Sequence, residues 1–585
     1  MSNPHPFHGK RSCQNRAWNM VEADARDVTH LTQRYQLPEV VARLLAQRKI
    51  SVDMADTFLK PTLKDLMPDP FHLKDMDIAV KRTLLAIENN ETIAIFGDYD
   101  VDGATASATL KRFFDDLNQP ANIYIPDRLA EGYGLNQQAL AYLKSEGHSL
   151  VITVDCGTTS FEALEWAKEN ELDVIILDHH KSEETLPPAT ALVNPNRMDE
   201  TSEHTYLCAA GLAFLFVAAV RQKLKEANPT ATLPDIRAYL DMVALGTVCD
   251  MVPLQGLNRA YVNQGLKILQ KQANVGLKAL MDVSNIQEKP SPYHLGFLLG
   301  PRINAGGRIG QADLGARLLS TRDPHTAQTI AAELNELNQE RKAMEAQMIE
   351  DALQQVESKN MQKDPVICVS SPDWHMGIVG IVAGRLKEKY HRPCFAIAID
   401  DQGIGKGSGR SISGIDLGGL AHAARHAGII INGGGHAMAA GITVEADKLE
   451  DFKEFLKEHI PADEGDTSLD IHGAVTVSGA SVELIETIEQ LSPFGPANPT
   501  PNFVLTNVRV SYASVVGSNH VKCTLESEDK KRLNAIAFQA HEEPVGQWIM
   551  DNTKTTPCHV AGTLKLNHWQ GRTTAQLIIK DVMVA

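Results

Sequence analysis

From about residue 77 to residue 254, short runs of β-branched and aliphatic residues alternate with amphipathic stretches. The runs are TIAIF (92–96), NIYI (122–125), LVITV (150–154), DVIIL (173–177) and ALV (191–193). Residues 104–117 and 161–170 read as helices between them. Unbroken apolar strands separated by such helices predict a parallel sheet covered on both faces. In such sheets ligands bind just beyond the carboxyl ends of the strands. The 14-residue apolar stretch 207–220 predicts a buried helix, too short for a membrane span.

Residues 325–364 contain no Gly or Pro and are rich in Ala, Glu, Gln, Leu and Met. They predict one long helix, too polar for full burial, that spaces two domains. Beyond it VICV (366–369), CFAIAI (394–399) and GITV (441–444) predict strands of a second, smaller α/β domain, with Gly-rich turns at 403–409 and 433–435. After Asp463 the alternation has period two: 503–510, 521–525, 533–538, 559–566 and 575–579. Five such strands predict a small barrel of the oligonucleotide-binding (OB) type. The expected divisions are an N-terminal extension (1–75), a parallel-sheet domain (76–324), the connecting helix (325–364), the smaller α/β domain (365–460) and the barrel (461–585).

Composition narrows the classes. A chain of 585 residues accommodates several domains, and 43% hydrophobic with 22% charged residues is an ordinary globular mix. Lys and Arg number 56 against 73 Asp and Glu, a net charge of −17. The molecule as a whole repels polyanions, so any nucleic-acid site is a local basic groove or a metal site. Eight cysteines stand apart with no C-x-x-C, which argues against a zinc ribbon and for reduced thiols. The polar first residues lack the apolar region of a signal peptide. The expected setting is the cytoplasm, with no membrane partner.

The densest chemical signal lies where the strands end. Asp98-Tyr-Asp100-Val-Asp102-Gly103 follows the first run, Asp155 the third, and Asp178-His179-His180 the fourth; Asp250 follows ALGTVC. A lone Asp at a strand end is usually a helix cap, but four such clusters in one domain are hard to read as unrelated caps. An EF-hand loop would need Glu rather than Thr109 at its twelfth position and helical flanks. An aspartyl-phosphate enzyme would use Asp100 and Asp102 but has no call for paired histidines. Hard divalent cations take carboxylate oxygens, and a mixed Asp/His shell suits Mn²⁺. The number of ligands fits two ions ~3.5–4 Å apart sharing a carboxylate, the arrangement of two-metal hydrolases.

DYDVDG, VDCG, LDHHK and ALGTVCDMVPL, in this order, resemble the four motifs of the DHH phosphoesterase superfamily. GPRINAGGRIG (300–310), WHMGIVGIVAGRL (374–386), SGRS (408–411), GGGHAMAAG (433–441) and PFGPANPTPNF (493–503) extend the resemblance to the RecJ family of single-strand-specific 5′→3′ DNA exonucleases. It implies an α/β fold: a DHH-type parallel-sheet domain and a smaller DHHA1-type α/β domain joined by the long helix, then a C-terminal OB-type β-barrel. The resemblance further implies two Mn²⁺ ions, with Mg²⁺ as substitute, held by Asp100, Asp102, Asp155, His179 and Asp250, with Asp155 bridging. Asp98 would be a ligand or support. His180 would face the scissile phosphate as charge stabiliser or proton donor, and Asp178 would orient the histidine pair. Arg128, Arg302, Arg308, the Ser408-Gly409-Arg410 turn and His436 would hold the strand and its 5′-phosphate, with His375 nearby. Phe96 stands four residues before the first ligating Asp, where other superfamily members have a His that RecJ proteins generally lack. Ala497 replaces a usual Gly at the barrel entry.

The implied partners are single-stranded DNA, a single-strand-binding protein and a RecQ-like helicase, the chain itself being a monomer that serves recombination and repair. On the barrel Tyr512, Lys522, Lys530, Lys531, Arg532, His568, Trp569 and Arg572 would meet DNA, although a charge run such as 530–532 is also the usual make-up of a solvated hairpin tip. Two other functions compete: a phosphodiesterase for short oligoribonucleotides or cyclic dinucleotides, and a non-enzymatic replication scaffold. The first usually lacks a barrel, and the second loses the ligands that this sequence keeps.

Overall fold

The computed structural model describes residue 7, residues 9–127, residue 131, and residues 134–461, 468–569 and 571–585. Five parallel strands form the first sheet in the order Ala121–Tyr124, Ile93–Gly97, Leu150–Val154, Asp173–Leu177, Ala191–Val193. The order reverses between Ile93–Gly97 and Leu150–Val154, a switch point that opens a crevice at the strands' carboxyl ends. Alternate strand residues feed two cores. Ile93, Ile95, Ile152 and Val154 pack with the buried helices Ala209–Ala227 and Leu240–Cys249, and Ala94, Phe96, Val151 and Ile176 with Leu140 and Leu164 on the other face.

The long helix runs from Pro324 to Ser358. It begins one residue before the predicted start, because proline at the first helical position sacrifices no hydrogen bond and Asp323 caps the turn. It ends six residues early, giving way to a short 3₁₀ turn at Met361–Lys363. Its first half (Ala327, Ile330, Ala331, Leu334) belongs to the core of the first sheet and its second half (Met348, Ala352, Val356) to that of the second. A single rigid rod therefore fixes both sheets.

The second sheet is mixed, in the order Asn432–His436, Ala439–Glu445, Ile404–Arg410, Cys394–Ile399, Ile367–Ser371. Here the Gly-rich segments are strands, not the turns expected at 403–409 and 433–435. Ser408, Gly409 and Arg410 thus sit at a strand end, and His436 closes another. Glycine is required because neighbours fill the space: a Cβ on Gly409 would meet the Phe395 ring at 2.5 Å.

The third sheet runs Gly473–Ala474, Phe503–Val516, His520–Glu526, Arg532–Ala537, Arg572–Val584, Cys558–Trp569, and Phe503–Val516 also pairs with Cys558–Trp569 to close a barrel. Its core includes residues from the start of the chain: Leu31, Val41, Leu44 and Leu45 pack with Phe503, Val521 and Val560. The strand Trp18–Met20 pairs with Leu469–Ile471, and Trp18 donates to Asp581 at 3.0 Å. Among the described residues no helix is long and apolar enough to cross a membrane.

Candidate metal centre

The helix after the first strand begins at Asp100, whose Oδ1 accepts from the Asp102 and Gly103 amides at 2.8 and 3.1 Å. Asp102 is buried under the start of the Ala209–Ala227 helix and accepts from the Ala209 and Ala210 amides at 2.6 and 2.9 Å. Asp155 ends the third strand in the left-handed region, φ 64°. Asp250 closes the Leu240–Cys249 helix. Three sets converge, each with ligand atoms within 4.8 Å of one another: Asp98, Asp100 and Asp155; Asp102, His179 and Asp250; Asp155, His179 and His180. His179 Nε2 lies 3.1 Å from Asp155, 3.7 Å from Asp250 and 3.9 Å from Asp102.

Burial and the charge of Asp100 push Asp102 up to about 6. Burial, then Asp102 and Asp100, push Asp250 up to about 9, and Asp155 is raised well above the carboxylate range by burial and four neighbouring aspartates. Burial and the charge of His180 pull His179 down to about 4, leaving a neutral imidazole. Asp250 Oδ2 is buried with no hydrogen-bond partner. Crowded carboxylates, an orphaned oxygen and a neutral nitrogen aimed among them form a donor set that fits hard or borderline divalent cations.

His180 differs. Burial favours its neutral form, but Asp178, 2.7 Å from Nδ1, outweighs it and pushes the imidazole up to about 9. Asp178 itself is held below the usual range: burial works against its charge, yet hydrogen bonds from His180 and the Thr158 amide win. Asn196 and Asn194 donate to the backbone carbonyls of His179 and His180 at 2.6 and 2.8 Å. These asparagines were not singled out from the sequence, although their place directly after the fifth strand is the signal used for the aspartates.

The predicted substrate residues other than Arg128 belong to the helix Gly300–Ile309 and to the second α/β unit. That helix touches both units: a Cβ on Gly307 would strike the Tyr99 ring at 2.7 Å, while Arg308 donates to the Gly377 carbonyl of the second α/β unit at 2.8 Å. Arg302 is tied to Asn335 and the Leu298 carbonyl. Arg410 donates to Ser408 Oγ at 2.8 Å beside Gly380, in the first turn of the helix Val379–Tyr390. Burial, then the positive charges of His180 and Lys181, lower His436. His375 accepts from the Gly377 amide at 3.1 Å. Arg128 and the side chain of Trp569 lie outside the described residues. On the barrel Tyr512 is exposed, whereas Lys530 and Arg532 both pair with Glu526.

Known proteins agree with this architecture. Residues 92–247 match the N-terminal domain of the DHH family, residues 363–461 the DHHA1 domain and residues 471–581 the RecJ OB domain. The single-stranded-DNA-specific exonuclease RecJ of Bacillus subtilis is 35% identical over 584 residues, spanning 97% of this chain and 71% of the relative. The crystal structure of RecJ from Thermus thermophilus in complex with Mn²⁺ superposes with a TM-score of 0.81 at 27% identity, covering 97% of this chain and 79% of that one. The Mg²⁺ complex of the same protein gives 0.76 at 25% identity, with coverages of 97% and 78%. The chain belongs to the RecJ family.

Proposed function

We propose that the chain is a metal-dependent exonuclease that degrades single-stranded DNA from its 5′ end to 5′-mononucleotides, in recombination and repair. The observation that carries the reading is the convergence of Asp100, Asp102, Asp155, His179 and Asp250 at one sheet edge, with a buried, unpartnered carboxylate oxygen among them. These five residues would hold two Mn²⁺ ions, Mg²⁺ substituting, with Asp155 shared. When bound, such ions activate water and neutralise charge on the phosphoryl oxygens.

The protein's own groups supply the rest. Asp178 fixes His180 through Nδ1 and keeps it protonated, so Nε2 donates to the oxygen leaving the scissile phosphorus. Ser408 and Arg410, next to the first turn of the Val379–Tyr390 helix, form an anion clamp suited to a terminal 5′-phosphate. Arg302, Arg308 and His436 line the strand's path. Family membership supports a single-strand-binding protein and a RecQ-like helicase as partners, a monomer and a cytoplasmic setting.

The test uses a single-stranded oligonucleotide labelled at its 3′ end, with Mn²⁺ or Mg²⁺ and an Asp155→Ala control. Progressive shortening, absent in the control and on blunt duplex, is expected. Immediate release of labelled mononucleotide would reverse the polarity, and no cleavage with either metal would refute the reading.

A further inference from the structure

The PFGPANPTPNF segment, read from the sequence as a barrel entry, does more than start a strand. Its turn at 493–499 is packed onto the loop that carries Asp250. The Leu254 amide donates to the Pro496 carbonyl at 2.9 Å, and the Leu254 side chain fills the space above Gly495, where a Cβ would lie 2.6 Å from Cδ1. Just beyond Leu254 the helix Gly256–Leu269 begins, and its first turn presents Arg259. Arg259 is 1% exposed and donates to the carbonyls of Phe58, Leu491, Ser492 and Pro493 at 2.8, 2.8, 2.7 and 3.3 Å, with its guanidinium 3.9 Å above the Phe58 ring. On the other side of the turn Arg48 donates to Asn498 Oδ1 and the Pro499 carbonyl, both at 2.8 Å, and Asn498 donates in turn to Leu491 and Pro493.

Between Asp250 and Leu254 only three residues intervene, and Met251 holds a left-handed turn at φ 60°. From the inside the loop is fixed by Asn258, which donates to the Pro253 carbonyl at 3.0 Å and to the Tyr206 carbonyl at 2.7 Å. From the outside its fixed point is the barrel's turn. Asp250 Oδ2 accepts no hydrogen bond and its contact with His179 Nε2 is a long 3.7 Å, so its direction depends on the backbone of this loop.

We infer that the turn at 493–499 is a positioning element for the Asp250 carboxylate, clamped in place by Arg259, so that barrel docking sets the affinity of the metal centre. The inference rests on the reading of Asp250 as a metal ligand. A small shift at Leu254 is passed to Asp250 because the loop is short and tied at both ends. Support one step removed from a ligand typically changes metal affinity by ~10–100-fold.

The test measures Mn²⁺ binding to the full chain by electron paramagnetic resonance of the free ion, with no substrate present. Gly495→Ala is expected to weaken Mn²⁺ binding by about tenfold and to leave KM for single-stranded DNA at saturating Mn²⁺ unchanged. Gly495→Ala combined with Leu254→Val returns the lost volume and is expected to restore binding to within about twofold, because volume-conserving swaps are tolerated best. Arg259→Gln, which reaches fewer of the four carbonyls, is expected to weaken Mn²⁺ binding in the same direction. Parental Mn²⁺ affinity in Gly495→Ala and Arg259→Gln would overturn the inference, as would a raised KM with unchanged Mn²⁺ binding, since the turn would then orient only the barrel. Asp250→Asn is the control: parental Mn²⁺ binding in that variant would remove the ligand reading itself, and the inference with it.

Discussion

Two regions of this molecule bury like charges together, and they do so to opposite ends. At the first sheet's edge, Asp100, Asp102, Asp155 and Asp250 crowd one another, and the proton affinities of the last three are driven up. At the joint between the barrel and the first α/β unit, Arg48 and Arg259 lie close enough for Arg48 to add to the burial that lowers Arg259 to about 9. The arginines have their hydrogen bonds met by seven carbonyl or amide acceptors, six of them backbone carbonyls. The aspartates keep an oxygen with no donor. Buried charge whose hydrogen bonds are met behaves as structure; buried carboxylates crowded together with too few donors are suited to hold a cation.

The sharpest way to break the comparison is to remove the shared ligand. Asp155→Ala should lower exonuclease turnover by far more than the ~10–100-fold that loss of a supporting contact costs, as measured in steady state with Mn²⁺. The same crowding predicts an inverse effect on stability: Asp155→Asn should raise the melting temperature in chelator and lose the stabilisation that Mn²⁺ gives the parent. Mn²⁺ at about 100 times its dissociation constant should stabilise the parent by ~2.7 kcal/mol per site. Removing the orienting carboxylate with Asp178→Asn should cost about 10–100-fold in turnover while Mn²⁺ binding is retained; equal losses of both would merge His180 with the metal ligands.

At the arginine joint, Arg259→Met leaves four carbonyls without their donor and should cost at least the ~1–3 kcal/mol of one unsatisfied buried acceptor in chemical denaturation. A change under about 1 kcal/mol, the size of an exposed contact, would mean the joint is not satisfied in the way described. Asp241 supplies an intermediate case, a carboxylate 1% exposed that burial pushes up to about 6 against the pull of the Met242 amide and Arg112. Its folded value exceeds the unfolded one, so the native state binds the proton more tightly and the charged form destabilises the fold above about pH 6. Asp241→Asn should therefore be more stable than the parent at about pH 7.5 by up to ~3 kcal/mol. The gap should close as the pH falls from about 6 towards about 4, followed by melting temperature across that range.

The aspartates and histidines were legible because each follows a run of apolar residues, and a parallel sheet brings successive strand ends to one edge. The fold class was legible for the same reason. Ile404–Arg410 and Asn432–His436 were not, since glycine has no strand preference of its own and is present to make room for Phe395, Ile397 and Ile442 in the first and for Ile430 and His422 in the second. Asn194 and Asn196 were overlooked because they act through backbone carbonyls and carry no charge. Arg259 was invisible: its partners come from residues 58 and 491–493, and no local period reports a contact that spans so much of the chain.

The pairing of Trp18–Met20 with Leu469–Ile471, and of Leu31, Val41 and Leu44 with the barrel, also has a consequence for synthesis. These residues leave the ribosome well before their partners, which follow hundreds of residues later. At ~5–20 residues per second they wait tens of seconds with their apolar faces uncovered. During that interval both α/β units can fold between them, and the barrel forms after them. Nascent chains halted before the Phe503–Val516 strand should accordingly carry a folded phosphoesterase core and an unpaired first segment that is open to chaperones and proteases.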